Sequence, residues 1–258
     1  MRWTDTHCHL NHPELYAEWQ SVLHRAQQSG VHRLVLIGYD LESSQRAVQL
    51  AEQSDALYAA VGIHPHDATQ CNSNTLSILR ELAHHPRVVA IGEIGLDFYR
   101  DLSPRSAQYE AFHAQLQIAA ETKLPVVIHC RDAYDELLSV LEAYPSVRGV
   151  LHCFSGTPEH AQRGLEIGYY LGVGGVVTFK NAETLRQVVQ GMPRERLLLE
   201  TDAPYLAPHP YRGKRNEPAY LPLIAQQVAH LWNVSLETLS EQTEQNVERL
   251  FHRIAKVD

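Results

Sequence analysis

The chain lacks the marks of several protein classes. Its four cysteines, Cys8, Cys71, Cys130 and Cys153, have no CxxC spacing and do not read as a disulfide framework. No apolar run approaches membrane-spanning length, and Met1-Arg2-Trp3-Thr4-Asp5 carries no apolar signal segment, so a cytoplasmic location without a membrane partner is the expectation. Basic residues are outnumbered, with 22 Lys and Arg against 30 Asp and Glu and a formal charge of −8. That argues against a broad electrostatic nucleic-acid-binding surface, although a metal centre and a few local arginines hold a phosphate without one. Low-complexity linkers and repeats beyond the strand-helix alternation are absent, and nothing calls for an obligate protein partner.

What is present is a hydrophobic fraction of 44% over 258 residues, enough for a sizeable core. Eight short β-branched and aliphatic runs recur: Trp3–Cys8, Arg33–Ile37, Leu57–Ile63, Val88–Gly92, Pro125–His129, Gly149–Cys153, Tyr169–Val173 and Arg196–Glu200. Between them lie segments of helical period, such as Ala107–Thr122, with Tyr109, Phe112, Leu116 and Ala119 on one face. Strand and helix in alternation mean parallel pairing, in a closed (β/α)₈ TIM barrel or a doubly wound open sheet. Ionisable residues end six of the runs. In a barrel those ends surround one mouth, whereas an open sheet spreads them along an edge, so the expected fold is one α/β barrel over residues 1–258.

Asp5-Thr6-His7-Cys8-His9 is the densest of these ends. Strand residues i and i+2 share a side, so His7 and His9 can grip one ion while Thr6 and Cys8 face away. The other runs end at His64 and His66, Glu93, His129, His152 and Asp202. With sixteen histidines in the chain, one pair means little, but six polar strand ends converging on one mouth point to a metal centre. By the same alternation, Cys8, Cys130 and Cys153 are expected to turn away from the ligands.

Imidazoles and carboxylates without thiolates suit Zn²⁺, Mn²⁺ or Mg²⁺, and this many ligands exceed what one tetrahedral ion needs. Two divalent ions are therefore expected. Glu93 is the natural bridge, with His7, His9 and Asp202 on one ion and His129 and His152 on the other. Asp202 is also a candidate base for a nucleophilic water. His64 either contacts the substrate, acts as an acid or is structural. Arg131, two residues past His129, either holds a phosphate oxygen or pairs with Asp132. Five prolines between Pro204 and Pro222 predict a long loop over the mouth. Tyr211-Arg212-Gly213-Lys214-Arg215-Asn216 on it is the only dense basic cluster, where Arg212 and Lys214 either guide a phosphate backbone or are solvated. A helix over Leu223–Trp232 follows. A last one starts near a Ser235 N-cap and packs Leu236, Leu239, Val247, Leu250, Phe251 and Ile254 against the barrel wall.

These motifs resemble those of the TatD family of metal-dependent hydrolases, within the amidohydrolase-like barrels. The likeness runs through Asp5–Leu10, Gly62–His66, Gly92–Tyr99, Leu124–Ala133, Val150–Gly156, Gly168–Ala182, Leu198–Pro208 and Arg212–Pro218. It implies a (β/α)₈ barrel with a divalent, often two-metal, centre supported by Mg²⁺, Mn²⁺ or Zn²⁺. It also implies deoxyribonuclease activity, including 3′ to 5′ exonuclease action, with DNA as partner through single strands or 3′ ends. By resemblance His7, His9, Glu93, His129, His152 and Asp202 are the ligands and His64 a substrate-side histidine; Glu93, Asp202 and His64 are the expected catalytic residues. The main rivals are an amidohydrolase or esterase acting on a small cyclic amide or ester, and one cleaving an aminoacyl-tRNA ester. Many amidohydrolases bridge their metals with a carboxylated lysine. Here Glu93 takes that place, and Lys123, Lys180, Lys214 and Lys256 stand far from it in sequence. A barrel that has lost catalysis and serves as a scaffold is a third reading, which the complete ligand set opposes.

Overall fold

The structure, a computed structural model, describes residues 1–254, so the last four residues of the expected 1–258 unit lie outside the described ones. In chain order the first half comprises β1 (Trp3–Cys8), α1 (Pro13–Tyr16), α2 (Trp19–Gln28), β2 (Val31–Ile37), α3 (Leu41–Ala51), β3 (Leu57–Val61), α4 (Ser73–Ala83), β4 (Val88–Asp97) and α5 (Arg105–Thr122). The second comprises β5 (Val126–Arg131), α6 (Tyr134–Glu142), β6 (Gly149–Leu151), α7 (Pro158–Glu166), β7 (Tyr170–Val173), α8 (Glu183–Gly191), β8 (Leu197–Leu199), α9 (Leu221–Trp232) and α10 (Leu236–Leu250). The eight strands form one sheet in sequential order, and each neighbouring pair is parallel. This is the expected (β/α)₈ barrel.

The strands read as nearly unbroken apolar runs because helices cover one face and the lumen covers the other. All ten residues of β4 are buried. Two shells result. Leu34, Leu36, Ala59 and Val61 belong to the layer between strands and helices, while their neighbours Val35, Ile37, Tyr58 and Ala60 fill the lumen. Five strand ends differ from expectation: β4 continues past Gly92 to Asp97 and β5 past His129 to Arg131, while β3 stops at Val61, β6 at Leu151, before His152 and Cys153, and β8 at Leu199.

The seam between β8 and β1 is closed by mixed contacts. Asp202 N–H donates to His7 O at 2.8 Å and His9 N–H to Ala203 O at 2.7 Å. Thr6 Oγ1 donates to Leu199 O at 3.0 Å, and Thr201 N–H to the buried Asp5 carboxylate at 2.9 Å. The seam thus fastens the residues that carry His7, His9 and Asp202 to one another.

Helix α5 fixes the ends of β3 and β4 through two fully buried glutamines. Gln115 accepts from Ile63 N–H at 2.7 Å and donates to Ile63 O at 3.0 Å. Gln108 accepts from Asp97 N–H at 2.9 Å. Each replaces ladder bonds that the strand end lacks, which a buried backbone group requires. Helix α10 begins as expected, with Ser235 Oγ accepting from Thr238 N–H at 3.1 Å. Its far end departs from expectation: Val247, Leu250, Phe251 and Ile254 join the lumen cluster. Arg253 donates to the carbonyls of Ala83 and Val88 at 2.8 Å, at the start of β4. The segment therefore closes the barrel floor, opposite the mouth. An amphipathic pattern specifies that one face is buried and leaves open which surface receives it. Among the described residues no helix is long and apolar enough to cross a membrane.

Candidate metal centre

The strand ends converge on a cavity of about 790 Å³. His7 lies in β1, Glu93 in β4 and His129 in β5, while His9, His64, His152 and Asp202 sit just past the ends of β1, β3, β6 and β8. Gly95 makes the approach of β4 to β5 possible. Its φ is +145°, and a Cβ there would lie 1.9 Å from His129 O, so only glycine fits.

Glu93 stands at the centre with its two oxygens facing two groups. Oε1 lies 2.9 Å from His129 Nδ1 and 3.2 Å from His152 Nε2. Oε2 lies 3.5 Å from His7 Nε2 and 4.0 Å from His9 Nε2. Asp202 Oδ1 completes the second group at 3.6 Å from His7 Nε2 and 3.4 Å from His9 Nε2. The His7, His9 and Asp202 donors all lie within 4.8 Å of one another, as do those of His7, Glu93 and His152 and those of His64, Glu93 and His129.

Whether these residues fit a cation turns on their protons. A neutral imidazole has one N–H and one lone pair. His9 Nδ1 meets Ile37 O at 3.1 Å, His129 Nε2 meets Asp97 Oδ2 at 3.1 Å, and His152 Nδ1 meets Glu200 Oε1 at 3.2 Å. Each outer acceptor takes the N–H, which leaves a lone pair aimed at the carboxylates of Glu93 or Asp202. Lone pair against carboxylate is repulsive unless a cation or a second proton stands between them, and an outward N–H with an inward lone pair is the usual arrangement of a ligating histidine. His7 departs from the pattern, since its buried Nδ1 has no partner. His64 is reversed. Its Nδ1 accepts from His66 N–H at 3.0 Å, so its proton is on Nε2, 3.7 Å from Glu93 Oε1. It presents a donor to the cavity, although its position alone would also suit a ligand.

The electrostatics agree. Burial pushes Glu93 up, but the charges of His152 and His64 and the hydrogen bonds of His129 and His152 outweigh it and hold the carboxyl well below its ordinary range. Burial lowers His152, yet Glu200 and Glu93 raise it well above the usual imidazole value, and Asp97 and Glu93 raise His129 against its own burial. Burial and the neighbouring imidazoles push His7 and His64 the other way, so positive charge is favoured at His129 and His152, where protons compete with a metal for the same nitrogens.

Two buried carboxylates that orient this set went unassigned in the sequence. Asp97 Oδ2 takes both His129 and, at 2.7 Å, His66 Nε2, while Oδ1 accepts from the N–H groups of Tyr99 at 3.0 Å and Arg100 at 2.7 Å. Glu200 holds His152 and the Cys153 N–H, and Gly172 leaves it room, since a Cβ there would lie 2.4 Å from Glu200 Oε2. The signal was alternation: Asp97 is four residues past Glu93 and Glu200 two before Asp202. Asp97→Asn is expected to weaken metal binding by about 10- to 100-fold, read by competition with a chelating dye. Unchanged affinity would show that Asp97 does not orient His129.

Other residues fall as follows. Arg131 lines the cavity, as does Arg100, which the sequence did not single out. Arg212 and Lys214 do not line it. Arg212 lies over the Phe179 ring at 4.4 Å, and the neighbouring Arg215 is paired with Glu18 and Glu217. Two thiols break the expected alternation, since Cys130 and Cys153 both line the cavity. For Cys153 the reason is local: β6 has ended, and its φ of +44° puts it in the left-handed region. Cys8 follows expectation and packs in the outer layer.

Comparison with known proteins yields a consistent set. The sequence model of a family described as TatD related DNase matches residues 4–252. A Bacillus subtilis (strain 168) protein named uncharacterized metal-dependent hydrolase YabD is 43% identical, over 96% of this chain and 98% of its own. A Citrobacter rodentium (strain ICC168) protein named 3′-5′ ssDNA/RNA exonuclease TatD is 42% identical, over 96% and 97%. The crystal structure of YjjV, a TatD homolog from Escherichia coli K12, superposes with a TM-score of 0.93 at 32% identity, over 97% and 98% of the two chains.

Proposed function

Since the chain belongs to the TatD family of metal-dependent hydrolases, enzymes that cleave ester bonds, we propose that it is a two-metal exonuclease removing nucleotides from the 3′ end of single-stranded DNA. The observation that carries this is Glu93, whose Oε1 faces His129 and His152 and whose Oε2 faces His7 and His9. His7, His9 and Asp202 would hold one divalent ion, His129 and His152 the other, with Glu93 between them. Bound Mg²⁺, Mn²⁺ or Zn²⁺ would supply Lewis acidity and a water acidic enough to attack a phosphodiester near neutral pH.

The chain's own groups do the rest. Asp202, held ionised by its histidine neighbours against its burial, accepts the proton of the attacking water. His64 offers its Nε2 proton to an anionic oxygen of the substrate. Arg131, at the rim, holds a phosphate oxygen. No described lysine lines the cavity, which disfavours the cyclic-amide chemistry built on a carboxylated lysine. A nucleic-acid substrate agrees with the names of the exonuclease relatives. The same reading places the enzyme in the cytoplasm, acting without an obligate protein partner.

The test is hydrolysis of end-labelled single-stranded DNA by metal-stripped protein, with Mg²⁺, Mn²⁺ and Zn²⁺ restored singly and RNA of the same sequence alongside. Stepwise shortening from the 3′ end, only with metal, is expected. Protein that binds two equivalents of metal yet cleaves neither polymer would move the assignment to a carboxylic ester or amide.

A further inference from the structure

Large hydrophobic side chains are exposed at few places in this fold, and four of them flank the mouth: Tyr99 (60%) and Leu102 (66%) after β4, Tyr205 (47%) and Leu206 (39%) after β8. Strands four and eight are opposite in an eight-stranded barrel; Leu102, Tyr205 and Leu206 line the cavity itself, and Tyr99 lies just outside it, against the lining Arg131. The β4 side also carries cations. The Arg131 guanidinium lies on the Tyr99 ring at 3.8 Å, and Arg100 is the next residue along.

Most arginines of this chain are held by carboxylates or by backbone carbonyls. Arg100 and Arg131 line the cavity, and among the described residues neither has a carboxylate partner. In a protein of net charge −8, with Glu93, Asp97 and Asp202 in the same cavity, two unpaired cations at the rim suit an anion arriving from outside. A half-exposed ring already stacked on a guanidinium suits a flat, π-faced group beside that anion. One carboxylate sets the arrangement, because Asp97 takes the N–H groups of Tyr99 and Arg100 through Oδ1 while holding His129 through Oδ2.

We propose that Tyr99, Arg100 and Arg131 form a nucleotide subsite next to the scissile phosphate on the polymer side, with a base stacked on Tyr99 and the flanking phosphate held by the two arginines. The inference rests on the nuclease reading and adds to it that a polymer binds more tightly than a small diester. Recognition there is blind to sequence, since every base has a π-face.

The experiment compares wild type with Tyr99→Ala, Tyr99→Phe and Arg100→Ala on a single-stranded oligonucleotide and on a small aryl phosphodiester. Tyr99→Ala and Arg100→Ala are expected to raise the oligonucleotide KM by about tenfold, with kcat far less affected and a much smaller change on the small diester. Tyr99→Phe keeps the ring and should restore wild-type KM. An abasic residue beside the scissile phosphate should cost the wild type the same factor and cost Tyr99→Ala nothing further. Equal losses on both substrates, or none on either, would overturn the subsite. Failure of the nuclease reading is a different result, namely no diester cleavage by wild type with any metal. The subsite is then judged by anisotropy of the labelled oligonucleotide on Glu93→Ala protein, where adding Tyr99→Ala must weaken binding about tenfold or the proposal falls.

Discussion

Glu93→Ala is expected to lower kcat by about a thousandfold or more and, on the two-metal reading proposed above, to reduce bound metal to at most one equivalent. The reason is geometric. Each oxygen of Glu93 faces a different group of imidazoles, so no other side chain can neutralise both and hold them at a fixed separation. Removing it leaves His129 and His152 on one side and His7 and His9 on the other without the anion between them. Far-ultraviolet circular dichroism should be unchanged, since the strand register and the glutamine clamps of α5 do not involve this side chain. Metal content by mass spectrometry and turnover of a phosphodiester check the prediction together. A variant that keeps two metals and full activity would place the bridge elsewhere. Loss of both with a collapsed dichroism spectrum would show a structural role.

The largest effect on stability should come from Phe251→Ala, at about 3–5 kcal/mol. Phe251 is fully buried in the lumen cluster with Val247, Leu250 and Ile254, where it meets residues from the strands of the barrel. Truncation opens a void that the closed barrel, braced by its ladder, collapses into only partly. A lower urea midpoint with an unchanged slope is the expected reading. Turnover at low denaturant should be retained, because the floor lies at the opposite end from the metal centre. A loss below about 1 kcal/mol would mean that the helix end merely lies against the barrel.

How far the sequence carried is clearest residue by residue. The eight strands were legible because a parallel barrel buries both faces of every strand, and a short aliphatic run between polar segments admits few other readings. The candidate ligands, which the structure brings to one cavity, were legible because each stands at or just past the end of such a run. Asp97 and Glu200 stood in the same runs, but the pattern of a ligand and of a residue that orients a ligand is the same; only the direction of the hydrogen bonds separates them. Charge density in the sequence pointed to Arg212 and Lys214, whereas the cations in the cavity are Arg131 and the unremarked Arg100. Local density says nothing of which way a loop folds back. Cys153 was misread because alternation holds only while the strand lasts, and β6 has ended before it. The C-terminal helix was found with its cap and its buried side, and only its destination, the lumen, was hidden.

That destination bears on how the chain comes to be folded in time. The floor of the lumen is closed by Val247, Leu250, Phe251 and Ile254, which are synthesised after all eight strands, and the seam that brings Asp202 to His7 joins segments almost 200 residues apart, as the hydrogen bond from Thr201 to Asp5 shows with its separation of 196. Contacts of such range are slow to form, and a nascent chain presents its first elements long before their partners exist. His7 and His9 therefore emerge long before Glu93, His152 and Asp202 exist to stand beside them. The candidate centre is complete only once the segment after β8 has joined β1, so a barrel truncated before that point would leave His7 and His9 without Asp202.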